Sequence, residues 1–280
     1  FPYYMGTYGF HSIHGRAPAI ATGLKVARPE LSVWVATGDG DLMSIGGNHF
    51  IHACRKNVDL KVLMFNNRIY GLTKGQYSPT SEKGKVTKSS PFGSVDYPFN
   101  PASLALGSDA TFVAKTLDRD VKHMQEMIKR ASTHKGLAFI EIYQNCVIFN
   151  DGAFENLTDK EHKADTILVL EHGKPMVFGK NKDKAIKLDG FTPKVIDLND
   201  GVHSINDALV HDEFDKNPIR AFILAHLNDQ QGMPTPIGIY RQITKPTYDE
   251  EVSNQVDAVK QKRGEGDLKS LLYDAKTWEV

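Results

Sequence analysis

The stretch LSVWVATGDGD, Leu31 to Asp41, followed by DLKVLMFNN, Asp59 to Asn67, decides how this chain is read. In LSVWVATG and LKVLMF the apolar residues run almost without a break, as in parallel strands covered by helices on both faces rather than in half-exposed antiparallel ones. The segment between them, Met43 to Arg55, has a helical pattern, so the whole reads as a βαβ unit. The alternation resumes as helix in PASLALG (101–107), strand in TFVAKT (111–116), helix in DRDVKHMQEMIKRASTH (118–134) and strand in LAFIEIY (137–143). In that last helix Val121, Met124, Ile128 and Ala131 share a face, and Asp118 or Asp120 can cap its start. The fold class is therefore α/β, a mostly parallel sheet with helices on both faces.

Around this nucleus the composition is ordinary: 280 residues, 34 basic and 34 acidic side chains, 40% hydrophobic content, 23 Gly and 13 Pro. That excludes fibrous and wholly disordered classes. Balanced charge removes the electrostatic argument for a nucleic-acid or acidic-membrane partner. No apolar run approaches the roughly 18 residues of a membrane span. The opening FPYYMGTYGFHSIHGRA has neither a basic nor an apolar leader region, and the chain is expected to start inside a longer one. Two distant cysteines, Cys54 and Cys146, give no disulfide framework and fit a reducing cytoplasm.

Past Asn145 the texture changes. TILVLEHGKPMVFG (166–179) reads as two extended segments around a turn, FTPKVIDLN (191–199) as another strand, PIRAFILAHL (218–227) as a buried helix and IGIYRQI (237–243) as an edge strand. The chain is thus expected to divide into residues 1–150, a smaller partly antiparallel extension over 151–243, and a charged tail or partner-binding arm over 244–280.

The two turns carry the chemistry. Gly38-Asp39-Gly40-Asp41 and Asn66-Asn67 both follow parallel strands directly, and the carboxyl ends of such strands are where open α/β sheets bind ligands. The Asp39 carboxylate, the Asn67 side-chain oxygen and a backbone carbonyl such as that of Ile69 form a hard-oxygen set suited to Mg²⁺, with room for phosphate oxygens and water. A dinucleotide fingerprint fails because Met43 stands where Gly or Ala is needed, and no GxxxxGK[ST] loop is present. GDGD alone would be an ordinary tight turn; the second polar turn one βαβ step later raises it above that.

GDG, 25 intervening residues and NN, with HGRA, IGGNHF and NNRIYGLTKGQYSPTS around them, resemble the β subunit of 2-oxoacid:ferredoxin oxidoreductases, most nearly the 2-oxoglutarate type. The resemblance is close from Phe1 to Gly152 and looser beyond. It implies a thiamine diphosphate-binding fold in which Asp39, Asn67 and Ile69 hold Mg²⁺. Gly38, Gly40, Asp41, Gly46, Gly47, Asn48 and Gly71 then lie around the cofactor. It implies oxidative decarboxylation of 2-oxoglutarate with coenzyme A, reduction of ferredoxin, and an α subunit that supplies the glutamate acting on the cofactor. A pyruvate or branched-chain 2-oxoacid enzyme and a non-catalytic scaffold or electron-transfer subunit stand as alternatives.

Four further readings belong to this resemblance. His14 of HGRA contacts the cofactor or substrate pocket, with Arg16 ordering the loop, or has a purely structural loop role. Leu72, Thr73 and Lys74 rim the reactive centre, where Lys74 is either a point charge for the second carboxylate of 2-oxoglutarate or a surface lysine. Cys146 is either a buried apolar side chain or one ligand of a [4Fe–4S] cluster whose other cysteines lie ahead of Phe1. The HxxH pairs His11/His14 and His49/His52 are not expected to bind zinc, and His52 and Cys54 are expected in the core or on a helix face.

Overall fold

The computed structural model describes residues 1–273. Its main sheet has six strands, β1 (Val33–Gly38), β2 (Leu60–Asn66), β3 (Phe112–Leu117), β4 (Ala138–Tyr143), β5 (Ile167–Leu170) and, after three strands named below, β9 (Thr235–Gln242). The order is β1-β2-β4-β3-β9-β5. The first four are mutually parallel, β9 runs antiparallel to β3, and β5 runs parallel to β9. The carboxyl ends of β1, β2, β3 and β4 therefore share one edge, and Gly38 and Asn66 are the last residues of two neighbouring strands.

One face of the sheet is covered by α1 (Ala17–Ala27), α3 (Gly47–Lys56), α4 (Pro101–Gly107) and α8 (Ile219–Ala225), which enclose a core containing Val35, Phe50, Val62, Met64, Phe139 and Tyr240. The other face carries α5 (Val121–Thr133), packed over Phe112, Ile140 and Ile142. Asp120 caps α5 by accepting the His123 N–H, and its inner face is Met124, Met127, Ile128 and Ala131. Val121 points outward at the helix start. The short helices α2 (Asp39–Met43), α6 (Glu155–Thr158) and α7 (Lys163–Thr166) lie in the connections. Strands β6 (Val177–Phe178), β7 (Lys184–Asp189) and β8 (Thr192–Asp197) form a separate antiparallel sheet.

The structure departs from the sequence reading at four places. The expected helix from Met43 to Arg55 is two helices, α2 and α3, broken at Ser44-Ile45-Gly46, where two adjacent glycines and a contact with Gly15 interrupt it. Strand β1 is an edge strand whose Trp34 and Ala36 face solvent, so its apolar run marks one buried face rather than two. IGIYRQI is an interior strand, and TILVL enters the main sheet beside it instead of joining the appendage. The six-stranded sheet thus draws strands from both sides of residue 150. Their long-range pairing leaves no mark on local periodicity.

The charged stretch after Thr244 is also ordered. It forms α9 (Tyr248–Arg263) and α10 (Leu268–Leu272). Thr247 caps α9, with Asp249, Glu250 and Glu251 in its first turn and Lys260, Lys262 and Arg263 in its last, which matches the helix dipole. Only its start docks, through the buried Asp249 carboxylate, which accepts the Asp59 N–H at 3.0 Å. Residues 274–280, the end of the expected arm, lie outside the described residues. No described helix is long and apolar enough to cross a membrane.

Candidate cofactor and metal site

Where β1 ends, the chain turns directly into α2, so Asp39 occupies the first position of a helix and points into the carboxyl edge of the sheet. Its side chain is only 2% exposed. One carboxylate oxygen accepts from Ser78 Oγ at 2.5 Å and Thr80 Oγ1 at 2.6 Å, and the Asn67 backbone N–H also turns toward the carboxylate. Burial raises the Asp39 pKa against these hydrogen bonds. Among the described residues no Lys, Arg or His forms an ion pair with it. A buried carboxylate attended by neutral donors alone has the electrostatics of a cation ligand.

Asn67 and Ile69 follow β2 immediately. Asn67 Oδ1 accepts the Ile69 N–H at a long 3.3 Å, which holds that oxygen within the turn, and Ile69 is buried. One carboxylate, one amide oxygen and one carbonyl are the hard-oxygen donor types that Mg²⁺ takes.

The glycines divide into two groups. A Cβ on Gly38 or Gly47 would meet nothing within 4 Å, so these two border open space. The N–H groups of Asn48 and His49 lie in the first turn of α3, where no intrahelical partner exists and an anion is favoured. Asn48 is exposed there. Gly40 and Gly46 serve packing instead. A side chain on Gly40 would run into the Tyr70 ring, whose hydroxyl donates to the Gly40 carbonyl at 3.0 Å, and one on Gly46 would meet the Asp41 carbonyl at 2.5 Å.

Asp41 likewise faces the protein. Its Oδ1 accepts the Gly15 N–H at 2.7 Å and lies 2.6 Å from His14 Nδ1, while Oδ2 accepts from Thr37 Oγ1 at 2.7 Å. Asp41 therefore clamps the HGRA loop against the GDGD turn. It holds the exposed His14 imidazole through Nδ1, and Arg16 adds a bond to the Ile45 carbonyl at 3.3 Å.

Gly71, Leu72, Thr73 and Lys74 form a tight loop closed by Tyr70 N–H to the Gln76 carbonyl at 2.8 Å and Gly75 N–H to the Tyr70 carbonyl at 2.9 Å. Leu72 is wholly exposed, Thr73 is tied to Gln76, and Lys74 adopts a left-handed φ of 72° at the tip. Beneath the loop, Gly71 and Gly75 rest against Phe149. Cys146 is half-buried in the same turn, whereas Cys54 is wholly buried in the core and burial pushes its thiol up. The 280 residues thus offer one accessible thiol, which cannot by itself hold an iron–sulfur cluster. The four HxxH histidines form no metal-binding group among the described residues.

Sequence reading missed Ser78, Thr80 and Asn150. Ser78 and Thr80 sit in a coil with no periodicity, and only the folded loop returns them to Asp39. Asn150 donates to the Asn67 carbonyl at 2.9 Å and accepts from Lys85 Nζ.

Residues 2–142 match the family of thiamine pyrophosphate enzymes, C-terminal TPP binding domain. The chain is 53% identical over 282 aligned residues to 2-oxoglutarate oxidoreductase subunit KorB of Mycobacterium tuberculosis, covering all of this chain and 75% of that one. It is 48% identical over 160 residues to the 2-oxoacid:ferredoxin oxidoreductase subunit beta of a Sulfolobus species, an alignment that covers 57% of this chain and about half (52%) of that subunit. A solved 2-oxoglutarate:ferredoxin oxidoreductase from Magnetococcus marinus, with 2-oxoglutarate, coenzyme A and succinyl-CoA bound, superposes with a TM-score of 0.71 at 31% identity. That match covers 99% of this chain and 78% of the other. With the sheet, the paired turns and these likenesses in agreement, the chain belongs to the thiamine pyrophosphate enzymes, and within them to the β subunits of 2-oxoacid:ferredoxin oxidoreductases of the 2-oxoglutarate kind.

Proposed function

We propose that this chain binds thiamine diphosphate and Mg²⁺ as the β subunit of an enzyme that converts 2-oxoglutarate and coenzyme A to succinyl-CoA and CO₂ while reducing ferredoxin. The observation that carries this reading is the meeting of the buried Asp39 carboxylate with the Asn67 turn at the open carboxyl edge of the sheet. Asp39, Asn67 and the Ile69 carbonyl would hold the cation. The Gly38 and Gly47 backbone and the first turn of α3 at Asn48 would meet the diphosphate, with Gly40, Asp41, Gly46 and Gly71 shaping the walls. The bound cofactor would supply the carbon nucleophile that the protein's own side chains lack.

Lys74, with Leu72 and Thr73, stands on the exposed rim, where an ammonium would pair the second carboxylate of a dicarboxylic 2-oxoacid. His14, held by Asp41, would face the same pocket. An α subunit would cover this edge and complete the site. In support, Tyr4, Tyr8, Leu72, Phe92 and Ile148 are largely exposed apolar side chains on the segments that rim it or lie nearby in sequence. Cys146 would contribute one thiolate to a [4Fe–4S] cluster whose other ligands come from elsewhere. Residues 1–150 would carry the cofactor, 151–243 the extension and 244–280 a partner-facing arm, in a cytoplasmic enzyme.

The test is anaerobic co-purification of the protein with its partner, analysis for thiamine diphosphate, magnesium and iron, and viologen reduction dependent on 2-oxoglutarate and coenzyme A. Cofactor, metal and this activity together support the reading. Preference for pyruvate or a branched-chain acid would move it to that substrate class, and absence of the cofactor would leave a scaffold.

A further inference from the structure

A fully buried ion pair lies inside the sheet beside this site. Lys115 on β3 and Glu141 on β4 are direct cross-strand partners, with side chains 2% and 0% exposed and Nζ 3.3 Å from Oε2. Lys115 also donates to the Tyr143 hydroxyl at 3.1 Å. Burial works against the ammonium charge, but Glu141 and the two tyrosines, Tyr143 and Tyr240, more than offset it and hold the Lys115 pKa well above its ordinary value. Glu141 Oε2 has this ionic neighbour and no hydrogen bond.

The other oxygen, Oε1, accepts from Asn66 Nδ2 at 2.7 Å. A carboxylate only accepts, so the charge on Glu141 dictates which way round the Asn66 amide stands. With its NH₂ group turned to Glu141, Asn66 presents Oδ1 to the Arg68 N–H at 3.2 Å; the Thr80 hydroxyl oxygen stands 2.9 Å from the same Oδ1 but gives its single proton to the nearer Asp39 carboxylate. The Arg68 contact closes the turn that spans Asn67. Arg68 takes a left-handed φ of 56°, a conformation that costs a non-glycine residue energy and needs such a contact to hold it.

We propose that the Lys115–Glu141 pair is a positioning device for the cation site: by fixing the orientation of the Asn66 amide, it sets the turn that presents Asn67. This inference rests on the proposed cation and cofactor site. It assigns distinct tasks to the two asparagines, Asn67 toward the cation and Asn66 toward the sheet. It also explains a buried charge pair whose desolvation a pair of apolar side chains would avoid.

The experiment uses the protein co-purified with its partner and stripped of cofactor. Mg²⁺ affinity at saturating thiamine diphosphate is measured by calorimetry, with thermal unfolding and amide exchange of residues 66–69 alongside. Glu141→Gln keeps the shape but frees the Asn66 amide, and weakens Mg²⁺ binding by about 10- to 100-fold. Because that variant strands the Lys115 charge, Lys115→Met/Glu141→Gln is the deciding one. It regains stability, yet keeps the weakened affinity and shows faster exchange at the Arg68 amide. A double variant that binds Mg²⁺ as the wild type does, or one that fails to fold, makes the pair a plain strut of the sheet and overturns the inference. Wild-type protein that binds neither Mg²⁺ nor thiamine diphosphate overturns the underlying site, and the inference with it.

Discussion

Thr80 places its hydroxyl 2.6 Å from the Asp39 carboxylate across 41 residues of sequence. A loop without regular structure thereby supplies the donor that lets a buried carboxylate remain where a cation can use it. Thr80→Val removes that donor and is expected to weaken Mg²⁺ and thiamine diphosphate retention by about 10-fold or more, measured by calorimetry. Asp39→Asn is expected to abolish cation retention while leaving the metal-free protein as stable or more so, because the desolvation cost of the charge disappears.

The same carboxylate sets a pH dependence. Burial raises the Asp39 pKa in the folded chain, so the folded state holds its proton more tightly than the unfolded one. Metal-free stability attributable to Asp39 is thus greatest at low pH and falls as pH rises from the ordinary carboxylate range through the raised value. Cation affinity strengthens over that window as proton competition ends. Parallel titrations of unfolding and Mg²⁺ binding check the two opposite slopes.

His134 gives the reverse sign. Burial, with the nearby Lys61 charge, pushes it down to about 4. Thr111 Oγ1 donates to Asn57 Oδ1 at 2.7 Å and so accepts from His134 Nε2 at 2.8 Å, which fixes the neutral tautomer. The folded state binds fewer protons than the unfolded state between that value and the ordinary histidine range, so this stability is lost as pH falls through the interval. His134→Gln should flatten the unfolding midpoint across it. An unchanged slope would remove His134 from the acid response.

Gly40→Ala drives a methyl group into the Tyr70 ring and breaks the bond from its hydroxyl to the Gly40 carbonyl. Overpacking of this kind costs about 1–3 kcal/mol. Adding Tyr70→Leu should recover part of the loss in thermal unfolding, since it removes the obstructing ring.

Lys74 carries the substrate test. In the assembled enzyme, Lys74→Met should raise KM for 2-oxoglutarate by about 10-fold or more while leaving any turnover of pyruvate nearly unchanged, since pyruvate has no second carboxylate to lose. Equal effects on both substrates would make Lys74 a surface lysine.

The sequence by itself determined that strands lie at LKVLMF and TFVAKT, that an aspartate at 118 or 120 caps the helix following TFVAKT, and that the GDGD and NN turns follow strand ends; the structure set the strand bounds and chose Asp120. What the sequence determined follows from short-range causes: apolar runs, capping side chains and polar turns at strand ends. Tertiary structure alone decided that β9 lies inside the sheet, that β1 exposes Trp34, and that Ser78, Thr80 and Asn150 return to the site. It also set Glu141 against Lys115 across the neighbouring strands β3 and β4. The physical reason is that hydrogen bonds and ion pairs between distant segments depend on which strands become neighbours, and local periodicity carries no record of that choice.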